Sequence, residues 1–290
     1  MHRISIITVN YNGYVDTCAM IDSIISIKFD AEIIVIDNGS KENEASAISS
    51  RYPFVKTIRS ERNLGFAGGN NLGIEVATGD FLFFLNNDTE LKDDFNVQAL
   101  IDRLKSSSYI GIVCPKIRFA WGTCPIQFTG YTPLSPITLR NKAIGNEEED
   151  HGQYSTAHAT PYAHGAAMFV KREALDKTGI MPECYFLYYE EYDWSMMFHR
   201  AGYEIWYEPA CTIYHKESKS TGQNSPLKTY YITRNRLLYA KRNQPLRYRY
   251  LTYAYLQCVV APRDLIKHMF NKRIDLCKAI FSAICDFWRM

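Results

Sequence analysis

Through the first hundred residues, short continuous apolar runs alternate with segments whose apolar positions recur at helical spacing. Ile4–Val9, Glu32–Ile36, Val55–Ile58 and Phe81–Leu85 are rich in Ile, Val and Phe, the pattern of strands buried on both faces. Between them, Asp16–Ser26, Glu42–Arg51 and Asn70–Ala77 carry the pattern of helices that cover such a sheet. This β-α-β-α-β-α-β order predicts an α/β domain with a Rossmann-like, mostly parallel sheet flanked by helices, and a ligand beyond the carboxyl ends of its strands. The polar residues gather where that rule wants them. Asn10-Tyr11-Asn12-Gly13 follows the first strand, Asp37-Asn38-Gly39-Ser40 the second and Asn86-Asn87-Asp88 the fourth. One such cluster would be a turn; three at the same sheet edge predict a site.

Beyond residue 105 the alternation weakens. Ile110–Lys116 reads as a strand, the Gly-, Pro- and Thr-rich stretch to Gly145 as hairpins or long loops, and Glu147–Asp150 as a solvated acidic turn rather than a metal site. Regularity returns with a strand at Ala166–Val170, a helix from Lys171, a helix from Glu191 to Ala201, and strands at Tyr203–Tyr207 and Cys211–His215. The end of the chain predicts an amphipathic helix, with Ile274, Cys277, Phe281, Ile284 and Trp288 on one stripe and Asp275, Lys278, Ser282 and Arg289 off it.

Composition excludes disorder, collagen and coiled coil, because 47% of the 290 residues are hydrophobic and 22% charged. The net charge of +2 conceals a split: residues 234–290 hold twelve Lys or Arg and three Asp or Glu, leaving residues 1–233 at −7. A compact domain over 1–240 and a basic helical tail over 241–290 follow. In that tail region Arg234, Arg236, Lys241, Arg242, Arg247 and Arg249 alternate with Tyr239, Tyr248, Tyr250, Tyr253 and Tyr255. This pattern predicts contact with an anionic membrane surface. Packing on the rest of the chain or on a homodimer partner is the alternative. No nucleic-acid motif accompanies the charge, so no nucleic-acid partner is expected. The eight cysteines are scattered, Met1-His2-Arg3 leads straight into a strand, and no apolar run approaches the ~20 residues that span a bilayer. A cytoplasmic location is expected, peripheral at the inner face of the plasma membrane.

Three segments carry chemistry. Phe81–Leu85 runs directly into Asn86-Asn87-Asp88, so the Asp88 carboxylate either faces a cleft or caps a turn. The stretch Glu61–Gly73 is a glycine-rich loop opening a helix, where free N–H groups and Arg62 would favour an anion. It fits neither G-x-G-x-x-G nor the P-loop pattern. In Tyr185-Phe186-Leu187-Tyr188-Tyr189-Glu190-Glu191-Tyr192-Asp193-Trp194, Glu190 and Asp193 share a helix face and Glu191 points elsewhere. Three acids among aromatics are costly in a core, since desolvation opposes ionisation. A cleft that uses one as a general base, the others holding ligand hydroxyls or structure, accounts for them; an exposed helix start is the alternative. His215, at the end of its strand, is alone compatible with a structural role.

Together, ISIITVNYNG (4–13), IIVIDNGS (33–40), ERNLGFAGGNNLG (61–73), GDFLFFLNNDTEL (79–91), FLYYEEYDWSMMFHRAG (186–202) and Tyr214-His215 resemble the family 2 glycosyltransferases of the GT-A fold, particularly their bacterial rhamnosyltransferase-like branch. The likeness covers about residues 1–240. It implies a nucleoside-diphosphate sugar as donor, dTDP-rhamnose or a UDP-sugar, held by Thr8, Asn10, Tyr11, Asp37, Asn38, Arg62, Asn63, Gly65, Gly68, Asn86 and Asn87. It implies Mg²⁺ or Mn²⁺ on Asp88 and His215, with Asn86 standing where the family's motif often leads with an acid. It implies Glu191 as catalytic base, where Asp is usual, with Glu190 and Asp193 as acceptor-binding or structural acids. The expected activity is inverting transfer to a saccharide acceptor, lipid-linked, in cell-surface polysaccharide synthesis. Two other readings stand beside it. A sugar-1-phosphate nucleotidyltransferase would normally show a Gly-rich loop after the first strand, and Tyr11-Asn12-Gly13-Tyr14 is not one. A catalytically degenerate nucleotide-sugar-binding subunit is suggested by Asn86 and Glu191.

Overall fold

The computed structural model describes residues 3–217 and 225–290; Met1, His2 and residues 218–224 lie outside the described residues. Its first half follows the expected winding: β1 (Ile4–Asn10), α1 (Tyr14–Ser26), β2 (Glu32–Asn38), α2 (Glu44–Arg51), β3 (Lys56–Ser60), α3 (Gly65–Val76) and β4 (Phe81–Leu85). The strands β3, β2, β1 and β4 lie side by side and parallel. Ile6, Ile7, Ile34, Ile36, Phe83 and Phe84 are fully buried between the helical layers, as continuous apolar strands require.

After β5 (Thr89–Glu90) and α4 (Val97–Lys105) the sheet becomes mixed. The long β6 (Ile110–Phe119) is followed by the short β7 (Ile126–Phe128) and β8 (His158–Ala159), and then by β9 (Ala167–Lys171). β9 runs antiparallel between β4 and β6, so the expectation of a mostly parallel sheet is corrected to a mixed one. α5 (Arg172–Thr178) and α6 (Glu190–Arg200) lead to β10 (Glu204–His215). β10 is one strand where two were expected; a register shift between Glu208 and Thr212 absorbs the polar interruption. The acidic turn is solvated except for Asp150, which pairs with Lys116 at 2.9 Å.

α3 begins five residues before the expected Asn70, because its glycines are helical rather than looped. They permit close approach: a Cβ at Gly69 would stand 2.8 Å from Val9 on β1. Gly65 has φ +76°, and a Cβ there would collide with the Phe186 carbonyl. The N–H groups of Leu64, Gly65 and Phe66 donate to Asn38 Oδ1, Asn63 Oδ1 and the Phe186 carbonyl oxygen respectively. The expected anion cradle at this helix start is therefore occupied by protein acceptors.

Four helices close the chain: α7 (Pro226–Asn243), α8 (Leu246–Tyr255), α9 (Ala261–Phe270) and α10 (Ile274–Arg289), with a π-helical turn over Leu256–Val260 between α8 and α9. The expected boundary at 240/241 falls inside α7. α10 packs on α7 through Leu276, Ala279, Ile280, Ala283 and Phe287, whereas Ile274, Phe281 and Trp288 of the expected stripe point outward. Among the described residues no helix is long and apolar enough to cross a membrane. Gly65→Ala should lower stability by about 2–4 kcal/mol through left-handed backbone strain and overpacking against Phe186; a urea-unfolding midpoint equal to that of the unaltered protein would contradict this packing.

Candidate active site

The turn after β4 places Asp88. Thr89 donates to the Asn86 carbonyl from both N–H (3.1 Å) and hydroxyl (2.7 Å), and β5 then pairs with the end of β10 so that Thr89 lies opposite His215. The Lys216 N–H donates to the Asp88 carbonyl at 2.9 Å. These backbone bonds bring Asp88 Oδ1 to 3.1 Å from His215 Nε2, and both side chains are nearly buried. His215 Nδ1 lies 2.9 Å from Gln127 Oε1 on β7, an acceptor to which Nδ1–H donates, and this bond fixes the ring with Nε2 toward Asp88. Asn86 Nδ2 is 3.5 Å from the same Nε2.

Two ligands on adjacent octahedral corners, each about 2.1 Å from a small divalent cation, stand about 3.0 Å apart. The Asp88–His215 spacing and donor types fit Mg²⁺ or Mn²⁺. Among the described residues no third His, Cys, Asp or Glu joins them, so further ligands would come from ligand oxygens and water.

A second cluster sits at the start of α6. Phe186, Tyr188 and Tyr189 all have positive φ (65°, 69° and 76°), an uncommon run for residues with side chains. Two residues of α7 hold this segment. Asn235 Nδ2 lies 3.0, 2.7 and 2.8 Å from the carbonyl oxygens of Tyr185, Leu187 and Tyr188, and Arg234 donates to those of Cys184 and Tyr185. The three acids that follow meet three environments. Asp193 is fully buried and bound by Arg242 (2.5 Å) and Asn243 (2.8 Å). Glu190 is 3% exposed, its Oε2 has no partner among the described residues, and burial together with Glu191 holds its pKa well above the usual carboxylate range. Glu191 lines a cavity of about 360 Å³ with Asn141, Tyr188, Tyr189 and Tyr192, and burial pushes its pKa up to about 7. The two clusters are linked by stacked and tilted rings: His215 to His164 (centroids 6.5 Å apart), His164 to Tyr131 (5.9 Å) and Tyr131 to Tyr192 (5.8 Å).

The family model for Glycosyl transferase family 2 matches residues 5–179, more than half of the chain. The chain belongs to glycosyl transferase family 2. A low-salt glycan biosynthesis hexosyltransferase from Haloferax volcanii is 25% identical over 287 residues, 97% of this chain and 90% of that one. An N-acetylglucosaminyl-diphospho-decaprenol L-rhamnosyltransferase from Mycobacterium tuberculosis is 24% identical over 212 residues, 66% of this chain and 68% of that one. Among solved structures, GalNAc-T7 with UDP, GalNAc and Mn²⁺ superposes with a TM-score of 0.62 at 17% identity. That match covers 88% of this chain and 54% of the other, so the chain spans about half of that protein. The shared architecture is the GT-A fold.

In this family 2 transferase several residues expected to hold the donor are engaged by the protein itself. Asp37 is fully buried; its carboxylate accepts from the N–H groups of Ser40 and Ala45, both at 3.2 Å, and from Arg59 at 3.1 Å. Asn38 binds Asn63, Leu64 and Gly65, and Asn10 binds Thr17 and Glu44. The polar atoms of Asp37 and Asn38, expected to hold the base and ribose of a nucleotide, join the turn after β2 to β3 and to the start of α3. Thr8 is buried with its hydroxyl unpartnered among the described residues, and Gly65 and Gly68 are buried within α3. Tyr11 and Arg62 are exposed, and Asn86, Asn87 and Asn63 partly so; Asn87 donates to Thr17 at 3.0 Å.

Sequence reasoning missed Gln127, Glu44, Asn141 and Asn235. Two of them left a signal: Gln127 stands alone between Ile126 and Phe128, and Asn235 is a poor helix former in mid-helix. The tail arginines are also corrected, since Arg234, Arg236 and Arg242 turn inward to carbonyls or to Asp193. Glu190→Gln tests the environment of this buried acid. A carboxyl whose folded pKa is raised binds its proton more tightly folded than unfolded, so its contribution declines as pH rises above its ordinary value. The variant should match the unaltered protein in Tm near pH 4 and exceed it increasingly toward pH 8; parallel Tm curves would refute the assignment.

Proposed function

We propose that this protein transfers a sugar, with inversion, from a nucleoside-diphosphate donor (dTDP-rhamnose or a UDP-sugar) to a hydroxyl of a lipid-linked saccharide in cell-surface polysaccharide synthesis. The observation that carries this reading is Glu191 at the wall of its cavity, with a pKa near 7 beside the more strongly buried Glu190. Neighbouring carboxyls whose environments differ divide their roles. Glu190 keeps its proton, while Glu191 ionises near neutrality and accepts the proton of the acceptor hydroxyl. The hydroxyl oxygen then bonds to the anomeric carbon, and the bond from that carbon to the β-phosphate oxygen breaks on the opposite face. Asp88 and His215 would hold the cation, which when bound supplies charge neutralisation for the departing diphosphate. Arg62 and Tyr11, the exposed members of the donor set, and the half-buried Asn63, Asn86 and Asn87 stand where the donor would approach along the sheet edge.

Glu191→Gln should lower kcat by about 10²–10⁴ while leaving nucleotide affinity unchanged, and the unaltered enzyme should gain activity with pH through an apparent pKa near 7. Asp88→Ala should abolish Mn²⁺ stimulation of nucleotide-sugar turnover. Retained turnover in Glu191→Gln would remove this residue as the base, whereas donor binding without turnover across a broad acceptor panel would favour a non-catalytic binding subunit.

The outward face of the closing helices supports a peripheral site of action on an anionic membrane. Phe270 and Phe281 are 85% and 70% exposed, among Lys272, Lys278 and Arg289. Such mixed aromatic and basic surfaces suit an interface between headgroups and acyl chains. Phe270→Ser with Phe281→Ser should abolish flotation with anionic liposomes without lowering Tm; undiminished flotation would remove this part of the proposal.

A further inference from the structure

A second cavity, of about 510 Å³, lies between α7, the π-helical turn, α9 and α10. It shares Arg140, Ile232 and Arg236 with the cavity that holds Glu191, so the two spaces meet at one wall. Its lining divides into two chemistries. Arg140, Lys228, Arg236, Arg263 and Lys267 supply positive charge against a single carboxylate, Asp264, which Arg263 already pairs at 2.7 Å. Leu237, Leu256, Val260, Ile280 and Ile284 supply an apolar floor. Arg236 is the telling residue. It is 7% exposed, one end donates to the Thr138 carbonyl, and its Nε has no partner among the described residues. A guanidinium so placed without a carboxylate is costly unless an anion from outside completes it. The π-helical turn, a local geometry often found at functional sites, contributes Leu256, Gln257 and Val260 to the wall.

We infer that this cavity binds the phosphate-bearing, apolar end of the acceptor: a phosphate or diphosphate group against Arg140, Arg236 and Lys267, and the first part of a hydrocarbon chain on the floor. The inference rests on the proposed transfer to a lipid-linked saccharide and assigns a place to its linkage. The shared wall would let the saccharide reach Glu191 while its anionic link stays on the arginines.

The test uses the full chain with saturating UDP and Mn²⁺, which fill the donor site, and titrates farnesyl diphosphate, farnesol and inorganic diphosphate by calorimetry. Farnesyl diphosphate should bind at least tenfold more tightly than either fragment. Arg140→Glu with Lys267→Glu, both exposed and tolerant of change, should weaken it at least tenfold with UDP affinity unaltered; Arg236→Met should do the same if it folds. Equal binding of inorganic diphosphate, or affinity insensitive to the double charge reversal, overturns the inference. UDP and other nucleoside diphosphates failing to bind would instead overturn the transferase reading, so the two failures are distinguishable.

Discussion

The site depends on one side-chain amide. Asn235, fully buried in α7, meets three carbonyls of a segment whose backbone visits the left-handed region at Phe186, Tyr188 and Tyr189. Each such residue costs about 1–3 kcal/mol and persists only where its surroundings over-determine it. Asn235 and Arg234 do this from one side; from the other, the Phe66 N–H fixes the Phe186 carbonyl at 2.8 Å. Because α6 starts at the end of this segment, its constraint sets where Glu190, Glu191 and Asp193 point. The closing helices are thus part of the site's construction, and Arg242 on Asp193 reinforces the same joint.

The three acids show how small displacements on one helix turn give carboxyls different chemistry. Asp193 has a cation and an amide, Glu190 has neither, and Glu191 faces a cavity. Removing Glu190's charge by protonation costs less than ionising it in a buried place with no cation beside it, and it spares Glu191 a second negative neighbour. The contrast with Asp88 follows from position rather than residue type. Asp88 lies opposite an imidazole at a strand end.

Much of the fold was legible because continuous apolar runs and helical spacing leave little freedom in a wound α/β half: β1, β2 and β4 fell where Ile, Val and Phe runs placed them, whereas β3, expected to be buried, is a part-exposed strand at the end of the sheet order. The candidate pair Asp88 and His215 was legible only through family resemblance, since 127 residues separate them and β5–β10 pairing alone joins them. Three features were hidden for physical reasons. The glycines of α3 read as a loop because helix propensity opposes them, and tertiary close packing on Val9 and Phe186 overrode it. The antiparallel insertion of β9 was hidden because burial looks alike in either strand direction. The bonds of Asp37 and Asn38 to neighbouring turns were hidden because a polar cluster at a strand end does not reveal which of its atoms the protein itself engages.

Net charge shows the same limit and then yields more when divided by place. The nine-charge surplus after residue 233 reads in the sequence as a membrane-facing segment or as helices packed on the chain or on a second copy. In the fold those cations serve at three depths. Arg234 and Arg242 are absorbed by carbonyls and a buried acid, Arg236 and Lys267 line a cavity, and Lys272, Lys278 and Arg289 remain on the outside. Positive charge therefore runs from the wall beside Glu191, along an apolar cavity, to the outer face, the sequence of surfaces that an amphiphile with an anionic link would match. Burial of Arg236 without a carboxylate is what separates that arrangement from a merely basic surface, because a surface lysine is fully solvated whether or not an anion arrives.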